Sequence, residues 1–209
     1  DPFENYTLST HLNYKFSENI ETTINYRLFH QDIDIDGQSH EWDTNLTSIT
    51  HHKLSPKLHV DYEIYFSQYQ ANQLEFDAEN GGILFDSDFN QRMFRPEFRL
   101  TFDPTSNQEI VGGIGSNLEF LDRHVFEEEV SFNSQYIYVQ HSFSTLKKLS
   151  LILGGRVDIH SEYDSQFSPK GSAIYKVNDS FSIKASVGSG FKAPDFRQLY
   201  LDFTNSAVG

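Results

Sequence analysis

Residues 181–194 read Phe-Ser-Ile-Lys-Ala-Ser-Val-Gly-Ser-Gly-Phe-Lys-Ala-Pro. The first seven alternate between apolar and polar side chains, as in a β-strand with one apolar and one polar face. The apolar members are Phe181, Ile183, Ala185 and Val187. Pro194 lacks an N–H donor and disfavours helical backbone at Ala193, so the sheet cannot continue through this point. The stretch therefore predicts an amphipathic strand that ends in a turn.

The same alternation recurs in nine earlier segments, from Tyr6 to Val177, which predicts ten strands in an all-β fold. The connections between these segments alternate between tight turns and longer polar loops, as in an antiparallel up-and-down meander. The tight turns lie at 17–19, 55–57, 103–107, 144–148 and 178–180, and the longer connections at 29–41, 68–91, 122–129 and 160–166.

Three features favour a transmembrane β-barrel over a soluble β-sandwich. The predicted strands have about ten residues, enough to cross a bilayer at a tilt. The two ends of the meander have connections of different length, as in outer-membrane barrels. Large aromatic residues flank both ends and predict two girdles. These are Phe16, Phe102, Phe143 and Phe181 near the tight turns, and Phe29, Phe66, Phe94 and Phe120 near the longer connections.

The alternation also divides the side chains between two faces. The apolar face of the seventh strand is predicted to carry Val130, Phe132, Tyr136 and Tyr138. The polar face, which would line a wet interior, is predicted to carry Arg27, Asp43, Asp61, Glu63, Arg95, Glu97, Arg99, Arg156, Asp158, Lys170 and Lys184. Such an interior is not a hydrophobic core, so the other face must contact lipid.

Composition limits the partners. The chain of 209 residues has 16 Lys and Arg against 30 Asp and Glu, a formal net charge of -14, and no cysteine. This acidic balance argues against a nucleic-acid partner, since phosphate binding needs a basic surface. The mean hydropathy is -0.52, and no long apolar run predicts a transmembrane helix.

The string Gly190-Phe-Lys-Ala-Pro194, followed by Phe196-Arg-Gln-Leu-Tyr200, resembles the FRAP box of TonB-dependent outer-membrane receptors that import haem, siderophores or cobalamin. Two further strings, Gly154-Gly-Arg-Val-Asp158 and Phe167-Ser-Pro-Lys-Gly171, are similar to strand signatures of the same family. The FRAP-like box itself comprises Phe191, Lys192, Ala193 and Pro194.

The resemblance implies a barrel of about 22 strands, of which residues 1–209 would be the central part, with the plug domain and the remaining strands absent. It implies import of a metal chelate across the outer membrane of a Gram-negative bacterium, energised by the TonB–ExbB–ExbD complex through the plug. It also implies substrate contacts at Phe196, Arg197 and Tyr200. The residues after Tyr200 contain no histidine, which argues against haem ligation there.

The segment 32–43 has the oxygen-ligand spacing of a calcium loop, with Asp32, Asp34, Asp36 and Asp43 as candidate ligands and Gly37 at the bend. Against calcium, aspartate replaces the bidentate glutamate, and strands rather than helices flank the segment. A solvated acidic hairpin tip explains the same residues. No other cofactor is predicted.

No nucleophile–His–acid spacing, phosphate-binding glycine loop or Cys/His cluster stands out, so the chain is predicted not to be an enzyme. Two alternatives to the transporter remain open. A ten-stranded outer-membrane protease or other hydrolase would need acidic and histidine residues converging at the loop rim. A passive porin or adhesin would show no energy coupling.

Overall fold

The computed structural model describes residues 3–34, 37–77, 81–146 and 148–192. They form one antiparallel sheet whose strands follow each other in chain order, with β1 and β10 at its two edges. The strands are β1 Phe3–Ser17, β2 Ile20–Asp34, β3 Gly37–Ser55, β4 Leu58–Phe76, β5 Ile83–Thr105, β6 Gln108–Asp122, β7 Val130–Leu146, β8 Leu149–His160, β9 Gln166–Asn178 and β10 Phe181–Gly188. The predicted ten-stranded meander is confirmed.

At one end of the strands, connections of two residues join each strand to the next, as predicted. At the opposite end of the strands, which we call the loop edge, two of the four predicted long connections are wrong. Those over 123–129 and 161–165 are present, but β2 and β3 are separated only by residues 35–36, and β4 and β5 by 77–82. Polar side chains pair across these strands, for example Gln68 Nε2 with Asn90 Oδ1 at 3.0 Å. The backbone hydrogen bonds between β2, β3, β4 and β5 therefore continue past the residues in which apolar and polar side chains alternate.

Strand pairing confirms the two faces. All eleven residues predicted for the polar face lie on one side of the sheet. The other side is apolar and exposed, with Leu12 53% and Tyr62 44% accessible. Only four hydrophobic residues in the described part of the chain are buried: Val60, Leu121, Phe132 and Tyr136. The sheet thus has no compact central core, and its apolar face is available to lipid.

Two side-chain assignments from the sequence are wrong. Phe29 pairs with Asp43 on the polar face, so it does not belong to an aromatic girdle on the apolar face. In β7, Val130, Phe132, Tyr136 and Tyr138 also lie on the polar face, and Ile137 and Val139 take the apolar face. Apolar and aromatic residues fill both registers of β7, so periodicity alone could not choose between them.

No helix among the described residues is long and apolar enough to cross a membrane.

Candidate functional site

A band of hydrogen-bonded charges crosses the polar face of β3 to β8. His51 Nδ1 lies 2.5 Å from Asp61 Oδ1, and Arg99 Nε donates to Asp61 Oδ2 at 3.1 Å. Farther along, Arg156 donates to Asp158 and lies over the ring of Tyr136, 3.8 Å from its centroid. Charges on this face are thus paired within a strand, as at Arg156 and Asp158, or between neighbouring strands, as at Asp61 and Arg99.

Glu97 of β5 is the centre of this band. It accepts hydrogen bonds from the hydroxyls of Tyr136, at 2.6 Å, and Tyr138, at 2.8 Å. Both tyrosines are on β7, so their rings must cross β6 to reach β5. They do so over Gly115 and Gly113, where a Cβ atom would lie 2.4 Å from the nearest ring atom. The two glycines are therefore required by this contact between non-adjacent strands.

An aromatic cluster covers the polar face where β6, β7 and β8 approach the loop edge. We call it the rim cluster and define it as Leu121, Phe132, His160, Tyr163 and Phe191. Leu121 is 1% and Phe132 6% exposed, and Phe89, Phe126 and Val130 pack against this pair. The rings of His160 and Tyr163 have centroids 4.2 Å apart. Apolar and aromatic faces of this kind suit binding of an organic ligand.

Two polar atoms in the rim cluster, His160 Nδ1 and Tyr163 Oη, are buried without a hydrogen-bond partner among the described residues. His160 ends β8 and Tyr163 lies in the connection that follows. Burial, together with the charge of Glu119, raises the pKa of Tyr163, so its hydroxyl keeps its proton. The cluster therefore offers hydrogen-bonding groups that the described residues leave unused.

The connection between β6 and β7 is fastened to the outer end of β5. His124 N–H donates to Asp88 Oδ1 at 2.7 Å, and the His124 ring contacts the same oxygen. Arg123 donates to Ser87 Oγ, and Arg92 pairs with Glu129. Burial, which raises the pKa of Asp88, is outweighed by the hydrogen bonds from His124, so the pKa is lowered.

This carboxylate predicts a pH-dependent attachment of the connection. A lowered pKa means that the contact is fully stabilising above the ordinary value for aspartate, about 4, and is lost as pH falls through the lowered pKa. We expect hydrogen exchange at His124 N–H, corrected for its intrinsic rate, to accelerate in this acid range. Asp88→Asn keeps an acceptor oxygen but does not titrate, and should show no such step. The same step in Asp88→Asn would contradict the assignment.

The structure tests little of the predicted FRAP-like site. Phe191 and Lys192 lie just beyond β10, and Phe191 belongs to the rim cluster. Ala193, Pro194 and the predicted substrate contacts Phe196, Arg197 and Tyr200 lie outside the described residues. Their roles stay predictions.

The predicted calcium loop does not have the expected geometry. Asp32 and Asp34 belong to β2 and Asp43 to β3, in a hairpin rather than a twelve-residue loop. Asp32 pairs with His40, whereas Asp43 pairs with Phe29, so these two aspartates point to opposite faces of the sheet. Asp32 instead contacts His30 and His40, at 2.8 and 2.6 Å. One ion cannot bind Asp32 and Asp43 together in this arrangement; Asp36 lies outside the described residues, and calcium itself stays untested.

The sequence did not single out His160 and Tyr163 as site residues. Nothing in the local sequence of His160 indicates the contact with Phe191, whose ring centroid lies 6.1 Å away. The available signal was the concentration of aromatic residues in the segment that forms β7.

A family model described as "TonB dependent receptor-like, beta-barrel" matches residues 1–209. The chain belongs to the TonB-dependent receptor family. This membership confirms the predicted family and places the receptor in the outer membrane of a Gram-negative bacterium.

Curated relatives agree with the family. The receptor is 30% identical over 102 residues to the "Probable TonB-dependent siderophore receptor PirA" of Acinetobacter baumannii, covering 48% of this chain and 13% of that protein. It is 28% identical over 78 residues to the "Iron-regulated outer membrane virulence protein" of Vibrio cholerae serotype O1, covering 37% of this chain and 12% of that protein. The matched segments are thus a small part of each relative.

Solved structures share the fold. The siderophore receptor PirA from Pseudomonas aeruginosa superposes with a TM-score of 0.80 at 19% identity, over 92% of this chain and 34% of that chain. The copper transporter OprC gives a TM-score of 0.74 at 11% identity, over 93% of this chain and 37% of that chain. The matched part of this chain therefore spans about a third of the length of each of these two chains.

Proposed function

We propose that the receptor imports a ferric chelate across the outer membrane, with energy supplied through the TonB–ExbB–ExbD complex acting on a plug domain. The observation that carries this proposal is the rim cluster. It places aromatic rings, and hydrogen-bonding atoms that no described residue pairs, on the polar side of the sheet near the longer connections, where a substrate from outside would arrive. The exposed apolar face opposite is suited to contact with outer-membrane lipid.

Among haem, siderophore and cobalamin-like substrates, a siderophore has the most support. Relatives from Acinetobacter baumannii and Pseudomonas aeruginosa carry the name siderophore receptor. A family of receptors and transporters also supports a non-enzymatic role, as predicted from the sequence. By family resemblance, the segment around Phe196, Arg197 and Tyr200 would add to the substrate surface, and no resident cofactor is proposed. Calcium binding by the aspartates of β2 and β3 is not part of this proposal.

Uptake of radioactive iron tests the function. The complete gene is expressed in iron-starved cells that lack their other TonB-dependent iron receptors, and ferric hydroxamate, catecholate and carboxylate chelates are supplied in turn. We expect uptake of at least one chelate, falling to background when tonB is deleted or the proton gradient is collapsed. Uptake that survives both treatments would favour a passive porin. Absence of uptake for every chelate would reject the proposed function.

A further inference from the structure

The rim cluster contains a chemical mismatch. Phe191 lies against His160 and Tyr163, with ring centroids 6.1 and 5.6 Å away. Each of those two residues has a buried polar atom that no described residue pairs by a hydrogen bond. A phenylalanine ring can pack against them but can neither accept nor donate a hydrogen bond. Buried polar groups left unpaired cost free energy, so Phe191 is a poor chemical match for this surface.

The attachment of Phe191 is also slight. Residues 189–192 follow the end of β10 and form no strand. Their backbone is joined to the sheet by a hydrogen bond from Ser189 N–H to Pro169 O at 3.1 Å. A Cβ atom at Gly190 would meet no atom of the described residues within 4 Å, and Phe191 itself is 44% exposed. The segment can therefore leave the cluster without breaking the sheet.

We infer that Phe191 is an internal stand-in for an aromatic ring of the imported molecule, and that this ring displaces it by bringing the hydrogen-bonding groups that His160 and Tyr163 lack. This inference rests on the proposed function, since it assigns the ring to the chelate. Phe191 then competes with substrate instead of contacting it. Its displacement frees the first residue of the FRAP-like box when substrate binds.

Small aromatic probes test the site without requiring the natural substrate. Phenol has a ring with a hydroxyl, and fluorobenzene is a ring of similar size without one. Binding of each to the purified full-length receptor in detergent is measured by NMR saturation transfer. Phe191→Ala should strengthen phenol binding about fivefold, from the usual strength of an aromatic contact. Tyr163→Phe should weaken phenol binding about fivefold and leave fluorobenzene unchanged.

Phe181→Ala is the matched control, because Phe181 is an exposed phenylalanine, 56% accessible, at the start of β10, whereas residues 189–192 follow the other end of that strand. It should not change binding of either probe. Unchanged or weaker phenol binding in Phe191→Ala, in protein with wild-type thermal stability, would overturn the inference. So would equal effects of Tyr163→Phe on the two probes.

Transport separates this inference from the proposed function. In the uptake assay, Phe191→Ala should lower the chelate concentration for half-maximal uptake by about fivefold. If no chelate is imported while the probe results hold, the proposed function is wrong and the ring site has another ligand. If uptake depends on TonB but Phe191→Ala raises the half-maximal concentration, Phe191 contacts the substrate and the stand-in role is wrong.

Discussion

Gly115→Ala is expected to destabilise the receptor by about 2 kcal/mol, the usual range for overpacking a filled site. The added Cβ would lie 2.4 Å from Cζ and from the hydroxyl oxygen of Tyr136. Tyr136 is only 4% exposed, and its hydroxyl is bonded to Glu97. The ring cannot move away without losing that hydrogen bond. Urea-induced unfolding of the receptor in lipid vesicles would measure the change.

Gly112→Ala provides the control on the same strand. Gly112 lies on the apolar face, where the nearest atom to a new Cβ is Tyr138 O at 3.7 Å. Alanine is at least as favourable as glycine within a strand, so this variant should be neutral or slightly stabilising. A double variant, Gly115→Ala with Tyr136→Ala, should lose less stability than the two single changes together. Strict additivity would contradict the proposed ring-over-glycine contact.

Ile24→Arg should destabilise the membrane-inserted receptor by about 2–4 kcal/mol, the cost of a cation facing lipid near the bilayer midplane. Ile24 pairs with Leu12 and Ser48 on the apolar face, midway between the tight turn and the rings of Tyr6, His30 and Trp42. The guanidinium would have to lie in hydrocarbon or reach for the interface. The effect is measured by the same unfolding experiment.

Thr23→Arg changes the adjacent residue to the same side chain but on the polar face. Thr23 pairs with Asn13 and Ile49, and Glu21 and Asn25 flank it on the same face of β2. Arginine there would face water and a carboxylate, so stability should change by less than about 0.5 kcal/mol. Equal losses for the two variants would show that the apolar face does not contact lipid.

Interior contacts depend on register in a way that local sequence cannot reveal. Tyr136 meets Gly115 and Glu97 because three strands align at one level, although 39 residues separate Tyr136 from Glu97. A shift of one residue would turn these side chains to the opposite face. For the same reason, Phe191 and His160 could not be paired from the sequence.

Alternation along the chain by itself determined the ten strands, their antiparallel order and the division into a polar and an apolar face, because side-chain direction in a strand is a local property with a period of two residues. The FRAP-like string indicated the family, and the family match confirmed it. Only the tertiary structure decided which side chains of β7 lie on the polar face, how far β2 to β5 extend toward the loop edge and which residues form the rim cluster. These features depend on which side chains meet across strands, and that is fixed by packing and register over the whole sheet.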